Sequence, residues 1–379
     1  MRHPRPSPRH VAAADAVADL VVVGGGLIGL ATAAEAAERG LSVALLTTDR
    51  AGAASRAGAG LLVPHYSGEG VHGEVARFMT AGRDLYPTYA RWVEERSGVR
   101  IPLQTSGALE VARSPRDCAA LHDAAPDGAV RLAPGDVAEL EPVLAPTAGG
   151  LLYPQDGAVD NVRLTDGLAS IVERHPRVRI MSDAAVRIAL GSKSRAVIGA
   201  SGARVHAGCI VLAAGAWTGA IEGLPRPIPV RPLRGQICTV RTAPLRHVVL
   251  GADLYMVSRN GDRTLIGSTM EDVGFDAATT TAAIDGLCRG AVTACPALGG
   301  QTVLEAWSGL RPATPDLLPI LGVDPEYPGL IYACGHSRNG ILLAPITAAI
   351  TSAIAAGEDP TWDLSPFSIG RFGPPVAAE

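Results

Sequence analysis

Aromatic residues are scarce in this chain, at 4% of 379 residues. That removes the stacking platforms on which single-stranded nucleic acid is bound. No excess of one charge stands in their place, because the formal net charge is -4. Nothing here favours nucleic acid or an anionic membrane as a partner. No apolar run reaches membrane-spanning length. The six cysteines, Cys118, Cys209, Cys238, Cys288, Cys295 and Cys334, form no C-x-x-C pair. Reduced, mostly buried thiols are expected, not a disulfide framework or a thiolate metal site. The nine histidines suggest no metal-ligand cluster. The basic, proline-rich start lacks the uninterrupted apolar region of a signal peptide, since Asp15 and Asp19 interrupt it. Residues 1–17 read as a disordered tail, and a cytoplasmic protein is expected.

What is present is glycine, 44 residues of it. The stretch LVVVGGGLIG, Leu20 to Gly29, organises the rest. Its apolar run suits a strand buried on both faces. Gly24, Gly26 and Gly29 then fall at the G-x-G-x-x-G spacing, with Leu27 and Ile28 between the last two. A helix pattern closed by Gly40 and a second apolar run, Leu41 to Leu46, follow. Strand, glycine turn, helix and strand together supply the context for a dinucleotide site. Gly24 permits the tight turn, Gly26 lets backbone approach a pyrophosphate, and Gly29 lets the helix pack on the strand. The acidic residue that usually holds the ribose is absent. Thr47 and Thr48 stand there, followed by Asp49.

Further along, a loop of small residues leads to Leu61 and suits a large planar group lying against it. A helix is expected over Val75 to Arg96, kinked or split at Pro87. Strands are expected at 107–112, 150–153, 178–181 and 185–190, and helices at 115–124 and 160–174. Cys209 to Gly215 is a second apolar run ending in glycine, with Trp217 just after it. From Ile228 to Met270 the chain becomes strand-rich, and Asn260-Gly261 signals a hairpin. Ala277 to Ala294 reads as helical. A late strand, Leu330 to Ala333, runs into GHSRNG and a helix from about Ile341 to Ala356, whose N-terminus would face the site.

Seven segments, in order, resemble the flavin-dependent D-amino acid oxidase superfamily, and its glycine oxidase branch, associated with thiamin biosynthesis, most of all. They are VVVGGGLIGLATAAEAAERGLSVALL, SRAGAGLLVPH, VLAAGAWTGAI, VRPLRGQ, LYMVSRNGDRTLIGSTMEDVGFD, WSGLRPATPDLLPILG and ACGHSRNGILLAP. The resemblance implies an α/β (α+β) protein. A Rossmann-like FAD-binding domain with a parallel sheet would be assembled from residues 18–90, 156–226 and 311–366. A substrate domain with a mainly antiparallel sheet would comprise 91–155 and 227–310, and 367–379 would form a C-terminal tail.

The same resemblance implies FAD bound non-covalently, because Arg311 to Gly322 contains no cysteine for a tether. It implies that Arg311 binds the substrate carboxylate, with Tyr255, Met270 and Arg338 as further substrate contacts and no residue acting as acid or base. His65 matches a position near the flavin but is assigned no catalytic role. Cofactor contacts are expected from Gly24, Gly26, Leu27, Ile28, Gly29, Thr47 and Thr48. Ser55, Gly60 and Leu61 would lie along the flavin, and Val186 would touch adenine by its backbone. Gly215, Trp217, Gly335, Arg338, Asn339, Gly340 and Ile341 complete the set. The implied reaction is oxidative deamination of glycine, sarcosine or small D-amino acids, with oxygen reduced to peroxide. Two alternatives stay open: a D-amino acid dehydrogenase using another acceptor, and an NAD-binding module or non-catalytic flavoprotein subunit. Relatives in this branch are often homotetramers, so a homo-oligomer is expected.

Overall fold

The structure is a computed structural model describing residues 16–67, 73–191, 194–241, 245–251, 253–259 and 261–374. Strand β1 (Ala16–Val23), helix α1 (Leu27–Glu38) and strand β2 (Val43–Thr47) form where the apolar runs place them, and β1 and β2 pair in parallel. Leu20 and Val22 join one core and Val21 and Val23 another, so β1 is covered on both faces. α1 is alanine-rich on its buried side, which lets the late helix Ala344–Ala355 come close. A buried contact of 3.0 Å between the hydroxyls of Thr32 and Thr351 marks their crossing.

Beyond β2 lies Val178–Ser182, and beyond β1 lies Arg204–Leu212, both parallel. The outer edge of Arg204–Leu212 then forks. Its first half takes the antiparallel strands Arg195–Gly199 and Ala185–Leu190. Its last residues take Leu330–Cys334 in parallel, with Ile320–Val323 antiparallel beyond. The carboxyl ends of β1, Arg204–Leu212 and Leu330–Cys334 therefore meet at one edge, where open α/β sheets bind ligands.

A second sheet runs in the order Val303–Ala313, Arg231–Arg241, Arg263–Gly267, Tyr255–Arg259, Val248–Leu250, Ala108–Ala112, Gly149–Tyr153, Val130–Leu132. Only Val248–Leu250 and Ala108–Ala112 pair in parallel. The helix Thr281–Ala294 packs on it through Ile284, Leu287 and Ala291. The hairpin expected at Asn260-Gly261 is present, with Arg259 opposite Arg263. Asn260 itself lies outside the described residues.

The helix expected over 75–96 is split next to Pro87, as expected there, into Gly73–Asp84 and Tyr86–Ser97. Pro87 sits in the first turn of the second, where its missing N–H costs nothing. The helix expected from Ala277 begins at Thr281, because Thr280 caps it. The helix expected from Ile341 begins at Ala344, one turn late. Residues 1–15 lie outside the described residues, but Ala16 and Val17 belong to β1 and not to a tail. Residues 367–372 are no tail either. Phe367 and Ile369 are buried, and the Phe367 ring lies 4.6 Å from that of Phe78. Tyr86–Ser97 runs through residue 90 and Val303–Ala313 through residue 311, so two of the four expected divisions fall inside single elements. All six cysteines are free thiols. Among the described residues, no helix is long and apolar enough to cross a membrane, and no cluster of acidic, histidine or cysteine side chains is placed to hold a metal ion.

Candidate functional site

A cavity of about 1320 Å³ opens at the carboxyl edge of the parallel sheet and runs to the second sheet. It exceeds the roughly 300–1,000 Å³ typical of a small-ligand pocket, which suits a dinucleotide together with a substrate.

At one end, the backbone leaves room that side chains would fill. Gly24 has φ +111°, and a Cβ there would lie 2.3 Å from the Ala213 carbonyl oxygen. A Cβ on Gly29 would lie 1.8 Å from the Gly24 carbonyl oxygen, so Gly29 supports the turn from beneath without lining the cavity. Gly25, an unassigned position of the spacing, is as constrained: its Cβ would fall 2.1 Å from Thr47 Oγ1. Gly26 precedes α1, and Ser55 Oγ accepts from the Leu27 N–H at 2.8 Å. The following N–H groups of the first turn have no intrahelical acceptor and carry the positive end of the helix dipole. This cradle fits a pyrophosphate.

Thr47, Thr48 and Asp49 line the next stretch, with Thr47 half-buried and the other two exposed. Arg50, which the motif reading passed over, also lines it and stacks 5.3 Å above the Trp217 ring. Gly215, at φ +57°, and Trp217 face the same space. Val186 does not. The cavity reaches Asp183, Ala184 and Ala185 and stops there, while the Val186 carbonyl accepts from the Glu222 N–H at 2.9 Å. A register shift between Ala185 and Arg187 displaces that strand by one residue, which sequence alone does not reveal.

Ser55, Gly60 and Leu61 line the middle. Gly60 has φ +72°, and a Cβ there would lie 1.9 Å from the Val159 carbonyl oxygen. The Trp307 indole N–H holds this loop by donating to the Ala57 carbonyl at 3.0 Å, and Arg259 donates to the Ala59 carbonyl. Arg338, Asn339, Gly340 and Ile341 line the far wall as a turn ahead of the late helix, and Gly335 lies just behind it. His65 lies outside the cavity, stacked 5.8 Å from Tyr153.

His336 lines the cavity and was not singled out from the sequence. It is buried, its Nε2 is 3.1 Å from Thr347 Oγ1, and burial lowers its pKa from 6.5 to about 4. The unfolded chain therefore takes up this proton at higher pH than the folded chain does. Between about 6.5 and about 4 the unfolded state holds more protons, so falling pH destabilises the fold. Urea unfolding at pH 7 and pH 5 should show wild type losing about 2 kcal/mol that His336→Gln does not lose. Equal losses in both proteins would mean the ring is not held neutral.

At the second sheet the cavity ends on a cation. Arg311 is half-buried on the strand Val303–Ala313. Its Nη1 donates to the Thr269 carbonyl at 3.1 Å and its Nη2 to Ser268 Oγ at 2.5 Å. The Tyr255 ring lies over Gly267, in the same end of the cavity as Arg311 and Ser268. Burial lowers the Arg311 pKa and nearby Arg338 adds to this, with Tyr255 opposing. Burial raises that of Tyr255, against Arg311 and Ser268. Among the described residues no carboxylate lies within ion-pairing distance of Arg311. Two glycines admit these side chains. A Cβ on Gly235 would lie 2.2 Å from Arg311 Nη1, and one on Gly267 would lie 2.5 Å from Tyr255 Oη. Gly235→Ala should leave the fold and FAD content near normal, because only a flexible guanidinium has to move. Substrate KM should rise about tenfold, the loss of roughly one charged hydrogen bond. An unchanged KM would remove Gly235 from the account. Met270 lines the cavity but is 53% exposed, so it stands at the mouth, near exposed Val273 and Phe275, not in a closed wall.

A glycine-turn cradle at a parallel-sheet edge, joined to a half-buried cation on a second sheet, defines a nucleotide-cofactor enzyme. The chain belongs to the FAD dependent oxidoreductase family, whose model matches residues 19–354. It is 32% identical over 384 residues to a glycine oxidase of Geobacillus kaustophilus, covering 95% of this chain and 99% of that one. It is 34% identical over 370 residues to the bifunctional protein ThiO/ThiG of Trichormus variabilis, covering 93% of this chain but only 55% of that longer protein. Among solved structures it is similar to the glycine oxidase of Geobacillus kaustophilus, with a TM-score of 0.88 at 29% identity, covering 94% of this chain and 99% of that one. FAD is the cofactor of this family, and the glycine cradle and the volume of the cavity fit it.

Proposed function

We propose that this protein oxidises glycine, sarcosine or a small D-amino acid to the 2-oxo acid. The balanced reaction for a primary amine consumes O2 and water and releases ammonia and hydrogen peroxide. The observation that carries this reading is Arg311: a half-buried guanidinium in the cavity with no carboxylate within ion-pairing distance among the described residues. Such a charge is costly unless something pairs with it. An arginine fork matches a carboxylate in geometry and charge, and a substrate carboxylate would satisfy it. The similarity to glycine oxidases over nearly the whole chain supports the same class of substrate.

FAD, when bound, supplies the two-electron acceptor. The chain's residues orient the substrate against it. Arg311 and Tyr255 hold the carboxylate, Met270 and Arg338 stand nearer the mouth, and the loop at Ser55, Gly60 and Leu61 lies along the flavin. No acid or base is assigned, because positioning accounts for the work asked of the protein. In this reading the parallel sheet and its helices serve FAD and the eight-stranded sheet serves the substrate. FAD is held without a covalent tether. The thiol that lines the cavity, Cys334, is buried and its pKa is pushed up to about 12, which leaves it a poor nucleophile. Anaerobic mixing with glycine tests the acceptor separately. Flavin bleaching followed by rapid recovery on admitting air supports an oxidase, and bleaching with slow recovery supports a dehydrogenase using another acceptor.

A further inference from the structure

The loop at Ser55, Gly60 and Leu61 is held by side chains to which neither the glycine spacing nor the arginine motif points. Its carbonyls are taken alternately. The Ser55 carbonyl accepts from Asn161 Nδ2 at 2.8 Å, the Ala57 carbonyl from the Trp307 indole N–H at 3.0 Å, and the Ala59 carbonyl from Arg259 Nη2. The same Nη2 lies 3.4 Å from Asn161 Oδ1, so Asn161 accepts from the arginine and donates to the loop. Asn161 is 2% exposed, and neither it nor Arg259 lines the cavity.

Two of these three anchors stand on the sheet that carries Arg311 and Tyr255. Arg259 closes the strand that Tyr255 opens, and Trp307 and Arg311 share the strand Val303–Ala313. Side chains an even number of residues apart share one face of a strand. Tyr255, Gly267, Ile237 and Trp307 are paired across the sheet in one row, so both pairs share the same face. The register is unbroken from Tyr255 to Arg259 and from Trp307 to Arg311. One sheet therefore carries both the carboxylate anchor and the hold on the loop. We infer that Arg259 and Trp307 are positioning residues that fix the flavin loop at a set distance from substrate bound at Arg311. The inference rests on the function proposed above. Transfer of the α-hydrogen needs reacting atoms about 3–3.5 Å apart, and a misplacement of about 1 Å can cost about 100-fold.

The test uses the FAD-loaded protein, reduced without air by whichever of glycine, sarcosine and small D-amino acids reduces wild type fastest. Arg259→Met keeps the stem and removes the donors, and Trp307→Phe removes the indole N–H. In each, the limiting rate of flavin bleaching should fall about 10- to 100-fold, while half-saturation by the amino acid stays within about threefold, because Arg311 is untouched. Arg259→Lys can still donate to the Ala59 carbonyl and should recover part of the rate. Titrating apoprotein with FAD gives a second readout: each of the first two variants should bind FAD roughly 3- to 10-fold more weakly, the worth of one hydrogen bond. Should Arg259→Met not fold, Trp307→Phe reads both quantities. A wild-type limiting rate in the folded variants, or amino acid affinity lost as steeply as rate, would overturn the inference. Should no amino acid bleach the wild-type flavin, the proposed function falls and the FAD titration decides alone, with undiminished affinity overturning the inference as well.

Discussion

Arg311→Ala should raise the KM for an amino acid substrate by about 30-fold or more. Removing one partner of a desolvated charge pair costs about 2–5 kcal/mol, and each 1.4 kcal/mol is about tenfold. The effect should be large because Arg311 is half-buried and, among the described residues, no carboxylate lies within ion-pairing distance of it. FAD content should stay near normal, since the glycine cradle lies at the other end of the cavity. Arg311→Lys should rescue only in part, because an ammonium keeps the charge and loses the planar fork. Amines without a carboxylate should not notice either change. Unchanged kinetics in Arg311→Ala would move the carboxylate assignment to Arg338, which lines the same cavity.

Gly24→Ala should abolish flavin retention. At φ +111° an L-residue is strained, at a cost of about 1–3 kcal/mol, and the new Cβ would also lie 2.3 Å from the Ala213 oxygen and 2.9 Å from the Ala214 Cα. Both obstacles are backbone, so relief requires moving the segment that lines the cavity. Gly26→Ala offers the contrast. Its Cβ would lie 3.0 Å from Ser55 Oγ, a side-chain atom that can give way. The ratio of flavin to protein absorbance after purification should therefore fall far in Gly24→Ala and less in Gly26→Ala. Full flavin occupancy in Gly24→Ala would mean the turn is not the cradle described here.

The parts of this molecule legible in the sequence are those whose cause is local. The apolar run of β1, the glycine turn and the alanine-rich α1 lie within one stretch, and their pattern states their structure. What stayed hidden depends on distant partners. The strand Val303–Ala313 carries Arg311, yet it reads poorly as a strand because Gly309 and Pro312 interrupt its alternation. Gly309 is required by Ala57, whose Cβ would lie 2.5 Å from an added Cβ, a contact no local window contains. Gly235 and Gly267 likewise look like weak points in strands until Arg311 and Tyr255 are seen lying over them. Val186 falls outside the cavity lining, next to a register shift that no local window contains. The late helix begins at Ala344, after a left-handed Ser337 and a turn, so the GHSRNG loop meets the cavity as a turn and not as a helix start. His336 stands in that loop too, but its burial is a tertiary fact.

The central claim is that a flavin and a carboxylate anchor together make this chain an amino acid oxidase. A peroxide assay on the purified FAD-loaded protein, across glycine, sarcosine and paired D- and L-amino acids, tests it most directly. Peroxide and the 2-oxo acid should form in equal amounts from glycine or a small D-amino acid, and the signal should collapse in Arg311→Ala at low substrate. A yellow protein that forms no peroxide, and whose flavin is not bleached by any of these amines without air, would contradict it.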